Sequence, residues 1–163
     1  MRTDKWDRHF LRMARECAMM SKDPSSQIGV VIVKDRDIIS SGFNGFPPGI
    51  ADDARLGDRE AKLKLVVHAE LNALLRAGRD ARGATLYLWG FRGPPCVNCA
   101  KHVVAAGITR VVVSGTPTPE RWKASLDESM QVLDEAMLRY TSVPASDVVD
   151  FGPTTTRQEQ TNP

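Results

Sequence analysis

Two short segments hold the side chains capable of chemistry: His68-Ala69-Glu70 and Pro95-Cys96-Val97-Asn98-Cys99. His68 and Cys96 lie 28 positions apart, so only the fold can bring them together. One imidazole and two thiolates are good zinc ligands, and three protein ligands leave a fourth position open for water. That open position separates a catalytic zinc from a structural one. Bound zinc lowers the pKa of such a water toward neutrality, making a hydroxide nucleophile. Glu70 stands two residues past His68, able to share the site without being forced to ligate.

Each part also fits a plainer role. Cys-x-x-Cys alone can be a redox pair or half of a structural zinc site. A redox pair leaves His-x-Glu unexplained, and a structural site needs a fourth ligand. Cys17 falls on the apolar face of the first helix, as a core residue would. His102 follows Cys99 at i+3 and fits the surface or a supporting position beside the metal. His9 adjoins Phe10 near the N-terminus.

Both segments sit where a strand or loop gives way to a helix, and helix N-termini favour thiolate. Residues 4–20 space Trp6, Phe10, Met13, Cys17 and Met20 as an amphipathic helix, with Asp4 as its cap and Asp7 three positions on. Pro24 ends it. Strands at 27–33 and 38–41 flank a Lys34–Asp37 turn and predict a hairpin. Residues 42–49 are too rich in glycine and proline for regular structure. The charged stretch 51–65 reads as a solvated helix or lid. A helix over 68–79, with Leu71, Leu74 and Leu75 on one face, precedes a strand at 85–89 and a loop at 90–95. A helix over 97–106, a strand at 110–114 and a last helix over 127–140 follow, the last offering Met130, Leu133, Met137 and Leu138 for packing. This alternation predicts an α/β sandwich with parallel crossovers. Residues 1–149 read as one domain, and the polar stretch 150–163 as a disordered tail.

Bulk properties narrow the partners. With 42% hydrophobic and 26% charged residues over 163 positions, the composition is that of a globular domain with a real core. A net charge of +2 favours a small molecule over a nucleic acid, which draws a basic stripe. No stretch approaches the ~20 apolar residues of a membrane span. The start lacks a secretory signal, and three cysteines make a poor disulfide framework, so the reducing cytoplasm is expected.

His-x-Glu followed by Pro-Cys-x-x-Cys marks the zinc-dependent nucleobase deaminases. Over roughly residues 5–140 the chain resembles the cytidine and deoxycytidylate deaminase family, more closely its deoxycytidylate branch. Three further segments carry the closer likeness: Ser21-Lys22-Asp23-Pro24-Ser25-Ser26-Gln27-Ile28-Gly29, Gly42-Phe43-Asn44-Gly45-Phe46-Pro47, and Val66-Val67-His68-Ala69-Glu70-Leu71-Asn72-Ala73. The resemblance implies a three-layer α/β/α sandwich around a mixed sheet of about five strands. It implies hydrolysis of dCMP to dUMP and ammonia, with zinc-bound hydroxide attacking C4 and Glu70 carrying protons from water to N3 and then to the leaving amine. It makes His68, Cys96 and Cys99 the metal ligands, Asn44 a sugar contact, the Ala69 backbone a base contact, and Lys22, Ser25 and Ser26 phosphate contacts.

One Zn2+ per chain is expected, because residues 51–67 lack the cysteine or histidine with which some relatives hold a second. The 88–94 connection is longer than the family's usual step and brings Trp89, Phe91 and Arg92 toward the metal loop. A 5-substituted dCMP or free deoxycytidine therefore stays open as substrate. A tRNA adenosine deaminase and a non-catalytic nucleotide-binding protein are the remoter alternatives. The branch further implies a homo-oligomer, often a hexamer, regulated by dCTP and dTTP.

Overall fold

The computed structural model describes residues 4–149, so the expected tail at 150–163 lies outside the described residues. The strands are β1 (Gly29–Lys34), β2 (Asp37–Phe43), β3 (Thr85–Phe91), β4 (Arg110–Thr116) and β5 (Arg139–Ser142). The helices are α1 (Lys5–Ala18), α2 (Arg59–Leu65), α3 (Ala69–Ala77), α4 (Val97–Ala105), α5 (Lys123–Glu135) and α6 (Ala145–Val149).

The five strands form one mixed sheet in the order β2-β1-β3-β4-β5. β1 runs antiparallel to both β2 and β3, while β4 is parallel to β3 and β5. The β1–β2 hairpin closes through Asp35 and Arg36, both at positive φ (52° and 72°), whose twist matches that of the flanking strands. α4 and α5 are the crossovers that parallel neighbours require.

Strand alternation builds a core on each face. Val30, Ile32, Leu86, Leu88, Val111 and Val113 meet α3, α4 and α5 on one side. Val31, Val33, Tyr87 and Val112 meet α1 and α6 on the other. Both faces are therefore apolar and covered, which makes a three-layer α/β/α sandwich. Glycines permit the close approach of two helices. A Cβ on Gly29 would lie on the Ala14 carbonyl and Ala18 amide of α1, and one on Gly42 would come within 2.6 Å of the Ala69 oxygen of α3.

Several local features differ from the sequence reading. Asp4 does cap α1, accepting from the Trp6 amide at 3.3 Å, but the buried stripe is Asp7, Phe10, Leu11, Ala14 and Ala18. Met13 and Met20 face solvent, and Cys17 packs partly buried against the second core. In α3 the buried residues are Ala69, Glu70, Ala73, Leu74 and Ala77, whereas Leu75 is exposed. β3 runs on through Gly90 and Phe91, which pair with Gly115 and Thr116 instead of opening a loop. The helix expected over 127–140 lies earlier, as α5, and ends at Glu135, with α6 following it. Met137 at φ 53° turns the chain, and Arg139–Ser142 becomes β5. Met137 is 89% exposed and packs nothing.

Candidate active site

The site is assembled at two helix starts. Val67 pairs with Gly45 through two backbone bonds of 2.8 and 3.2 Å, which fixes the chain entering α3. His68 is the N-cap residue of α3, so Ala69 and Glu70 form its first turn. Cys96 is the N-cap residue of α4, with Cys99 one turn in. Two partners unseen in the motif reading hold these ends. Asn72 Nδ2 donates to the Phe43 carbonyl at 2.9 Å, tying α3 to the end of β2. The buried Ser129 hydroxyl of α5 donates to the Pro95 carbonyl at 2.5 Å, directly before Cys96. A sequence signal for Ser129 exists only in hindsight, as a lone polar residue one turn before Leu133 on the buried face of α5.

His68 Nδ1 lies 3.5 Å from Cys96 Sγ and 3.4 Å from Cys99 Sγ, and the three ligand atoms all fall within 4.8 Å of one another. Tetrahedral zinc with ordinary Zn–N and Zn–S bonds places such atoms about 3.5 Å apart. The donor set therefore fits one zinc ion with a fourth position free. It is the only such group among the described residues. Cys99 is buried, Cys96 half-buried and His68 exposed toward the cavity, so the open side faces the cavity.

Charge is organised around the ligands. Cys96 accepts from its neighbours, Cys99 first and His68 after it, and is held down at about 4 as a thiolate. Cys99, donating to Cys96, is pushed well above the usual thiol range. His68 is raised to about 9, chiefly by its bond to Cys96. Glu70 is 5% exposed, and burial raises its carboxyl, opposed by the nearby His68 charge. A raised carboxyl that touches the metal ligands is what a proton carrier near neutral pH needs.

The cavity over these residues has a volume of about 580 Å³, within the range of small-molecule sites. His68, Ala69, Glu70 and Cys96 share its lining with two contrasting walls. One is polar and cationic, formed by Asp23, Ser25, Ser26, Asn44, Arg59 and Lys62. The other combines the apolar Leu88, Phe91, Pro94, Trp122 and Leu126 with Thr118, Arg121 and Ser125.

The expected substrate contacts separate in space. Asn44 is 6% exposed and lines the cavity. Its Oδ1 accepts from the Ile28 amide at 2.8 Å, and its Nδ2 donates to the Ser26 carbonyl at 2.9 Å. Ser25 and Ser26 line the cavity, their amides held by Asp23 Oδ1 at 2.8 and 3.2 Å. Lys22 is absent from the lining; its exposed amine is paired with Asp52 at 3.0 Å. The cation found there instead is Lys62 of α2, whose Nζ lies 3.1 Å from Asp23 Oδ1 and 3.3 Å from Ser25 Oγ. Its sequence signal was drowned by the charged run around it. In the 88–94 connection, Phe91 lines the cavity, Trp89 packs on the α1 side of the sheet, and Arg92 lies outside this lining.

Residues 4–115 match the family model for the cytidine and deoxycytidylate deaminase zinc-binding region. An uncharacterised deaminase of Aliivibrio fischeri is 37% identical over 142 residues, covering 86% of this chain and 95% of the relative. The deoxycytidylate deaminase of Pongo abelii is 40% identical over 116 residues, or 66% of this chain. That match spans only 64% of the primate protein's length. Among solved structures, the dCMP deaminase of cyanophage S-TIM5 in apo form aligns with a TM-score of 0.69 and 21% identity, covering 87% of this chain and all of that one. At that identity the likeness is one of fold.

Proposed function

Because the chain belongs to the cytidine and deoxycytidylate deaminase family, we propose that it hydrolyses dCMP to dUMP and ammonia. The observation that carries this reading is the buried Glu70 carboxyl beside the His68, Cys96 and Cys99 ligand atoms, on the floor of a cavity with one cationic wall. Zinc held by those ligands supplies a Lewis acid and a water activated near neutral pH.

The chain's own groups do the rest. Glu70 takes a proton from the attacking water and delivers it to N3 of the cytosine. As the water oxygen bonds to C4, the same carboxylate passes the second water proton to the exocyclic nitrogen. The C4–N bond then breaks and ammonia leaves. The Ala69 amide, in the first turn of α3, donates to the base, as helix-start N–H groups are free to do. Asn44 keeps a lone pair on Oδ1 for a sugar hydroxyl. Ser25, Ser26 and Lys62 meet the phosphate, with Arg59 behind them. Lys22 joins them only by leaving Asp52.

We assign residues 1–149 to one deaminase domain working in the reducing cytoplasm, where Cys17, Cys96 and Cys99 stay out of disulfides. Among the described residues, no helix is long and apolar enough to cross a membrane. Assembly into a homo-oligomer, a hexamer by analogy with the branch, and control by dCTP and dTTP complete the reading.

The test is ammonia release from dCMP by the zinc-loaded protein, with Glu70→Gln as control. Turnover is expected, and the substitution should lower it at least about 100-fold while zinc content is unchanged. A zinc-replete wild-type protein inactive on dCMP, with and without dCTP and dTTP, overturns the proposal.

A further inference from the structure

The motif reading ties the longer connection after β3 to the choice of base without naming a contact. It supplies Phe91, while the segment after β4 supplies Trp122 on a short 3-10 turn at Glu120–Trp122. The two rings meet edge to face, their centroids 4.8 Å apart with planes at 79°. Trp122 is 37% exposed, and the Arg121 guanidinium lies 5.5 Å from its ring centre. Both rings line the metal cavity, together with Pro94 and Leu126.

From this arrangement we infer that Phe91 and Trp122 form the wall that faces C5 of the cytosine, and that they set which 5-substituents the enzyme accepts. The inference rests on the deaminase reading above. Its argument is geometric. With C4 at the metal ligands and N3 at Glu70, the N3 edge of the ring points to α3. C5 is bonded to C4 on the side away from N3, so the C5 edge points away from α3. On that side the cavity is bounded by the connection leading to α4 and by the segment entering α5, which present Phe91, Pro94, Trp122 and Leu126, with Thr118, Arg121 and Ser125 beside them. A small apolar group at C5 gains contact with the two rings and buries no polar atom in doing so. The two rings come from separate segments and Trp122 is partly exposed, so the wall can accommodate a methyl group. The preferred class is dCMP bearing hydrogen or a small apolar substituent at C5.

The experiment compares kcat/KM for dCMP, 5-methyl-dCMP and deoxycytidine in the wild type, Trp122→Ala and Phe91→Leu. Trp122 is partly exposed and Phe91→Leu keeps an apolar side chain, so one variant at least should retain the fold. The wild type is expected to turn over 5-methyl-dCMP, contact with one methyl in an apolar pocket being worth about 10-fold or more. Either substitution should shift the 5-methyl-dCMP to dCMP ratio at least about fivefold, while the dCMP to deoxycytidine ratio, decided at the opposite wall, holds. An unchanged 5-methyl ratio in both folded variants overturns the wall with the deaminase reading intact. Absence of turnover on every substrate overturns both.

Discussion

At the residue scale, the ligand set constrains metal binding as strongly as it constrains chemistry. In the metal-free chain His68 is raised to about 9 and Cys99 is pushed above the usual thiol range, while Cys96 is held at about 4. At pH 7.5 His68 and Cys99 therefore carry protons and Cys96 carries none. Ligation needs neutral imidazole and two thiolates, so zinc must expel protons from His68 and Cys99. Zinc added to metal-free protein in weak buffer at pH 7.5 should release about two protons per site, and its affinity should rise with pH, more steeply below about 9, where His68 and Cys99 must both lose a proton, than above it, where only Cys99 must. Release of none would mean that the ligands are already deprotonated. These ligands and Glu70 were legible in the sequence because metal chemistry admits few residue types at such spacings. Lys62 was not, because nothing in a charged run tells which lysine turns inward.

At the scale of elements, α1 is attached to the sheet by more than its apolar stripe. Asp7, 3% exposed, accepts two bonds from Arg110 of β4, at 2.8 and 2.6 Å, and a third from the Tyr87 hydroxyl of β3 at 3.0 Å. Burial raises the Tyr87 phenol and the adjoining Asp7 raises it further, so it remains a donor. Removing one partner of such a pair strands the other charge in a poorly hydrated place. Asp7→Ala should destabilise the protein by about 3 kcal/mol, the low end because the Arg110 side chain is 23% exposed. Thermal unfolding should show a fall of roughly 6–12 °C. Replacing the pair together, Asp7→Leu with Arg110→Met, should recover much of the loss. A fall under 2 °C in the single variant would show the pair to be dispensable.

Asp7 reads in the sequence as a candidate cap partner because helical periodicity identifies a face only by its apolar members. β5 is hidden for a related reason. It has four residues, and its strand character comes from pairing with β4, a contact no local pattern records. The layers themselves were legible, since continuous β-branched runs such as Val111–Val113 need cover on both faces.

At the scale of the whole molecule, the cavity is walled on one side by a helix that has almost no core. No residue of α2 is buried, while Lys62 reaches across to the buried Asp23. That bridge joins the 59–65 wall to the loop holding Ser25 and Ser26, so Lys62 has two conceivable duties. It can bind phosphate, or it can only position that loop. The substrate separates them. A charge-assisted hydrogen bond to phosphate is worth about 1.5–3 kcal/mol, or roughly 10- to 100-fold. Lys62→Met should therefore lower kcat/KM for dCMP by that factor, mostly through KM, and leave deoxycytidine, which has no phosphate, nearly unchanged. If both substrates decline together, Lys62 acts through Asp23 on the shape of the cavity, and the phosphate must be sought at Arg59. A decline for dCMP alone would instead make the cationic wall the element that selects a nucleotide over a nucleoside, with the discriminating charge carried by the least buried helix lining the site.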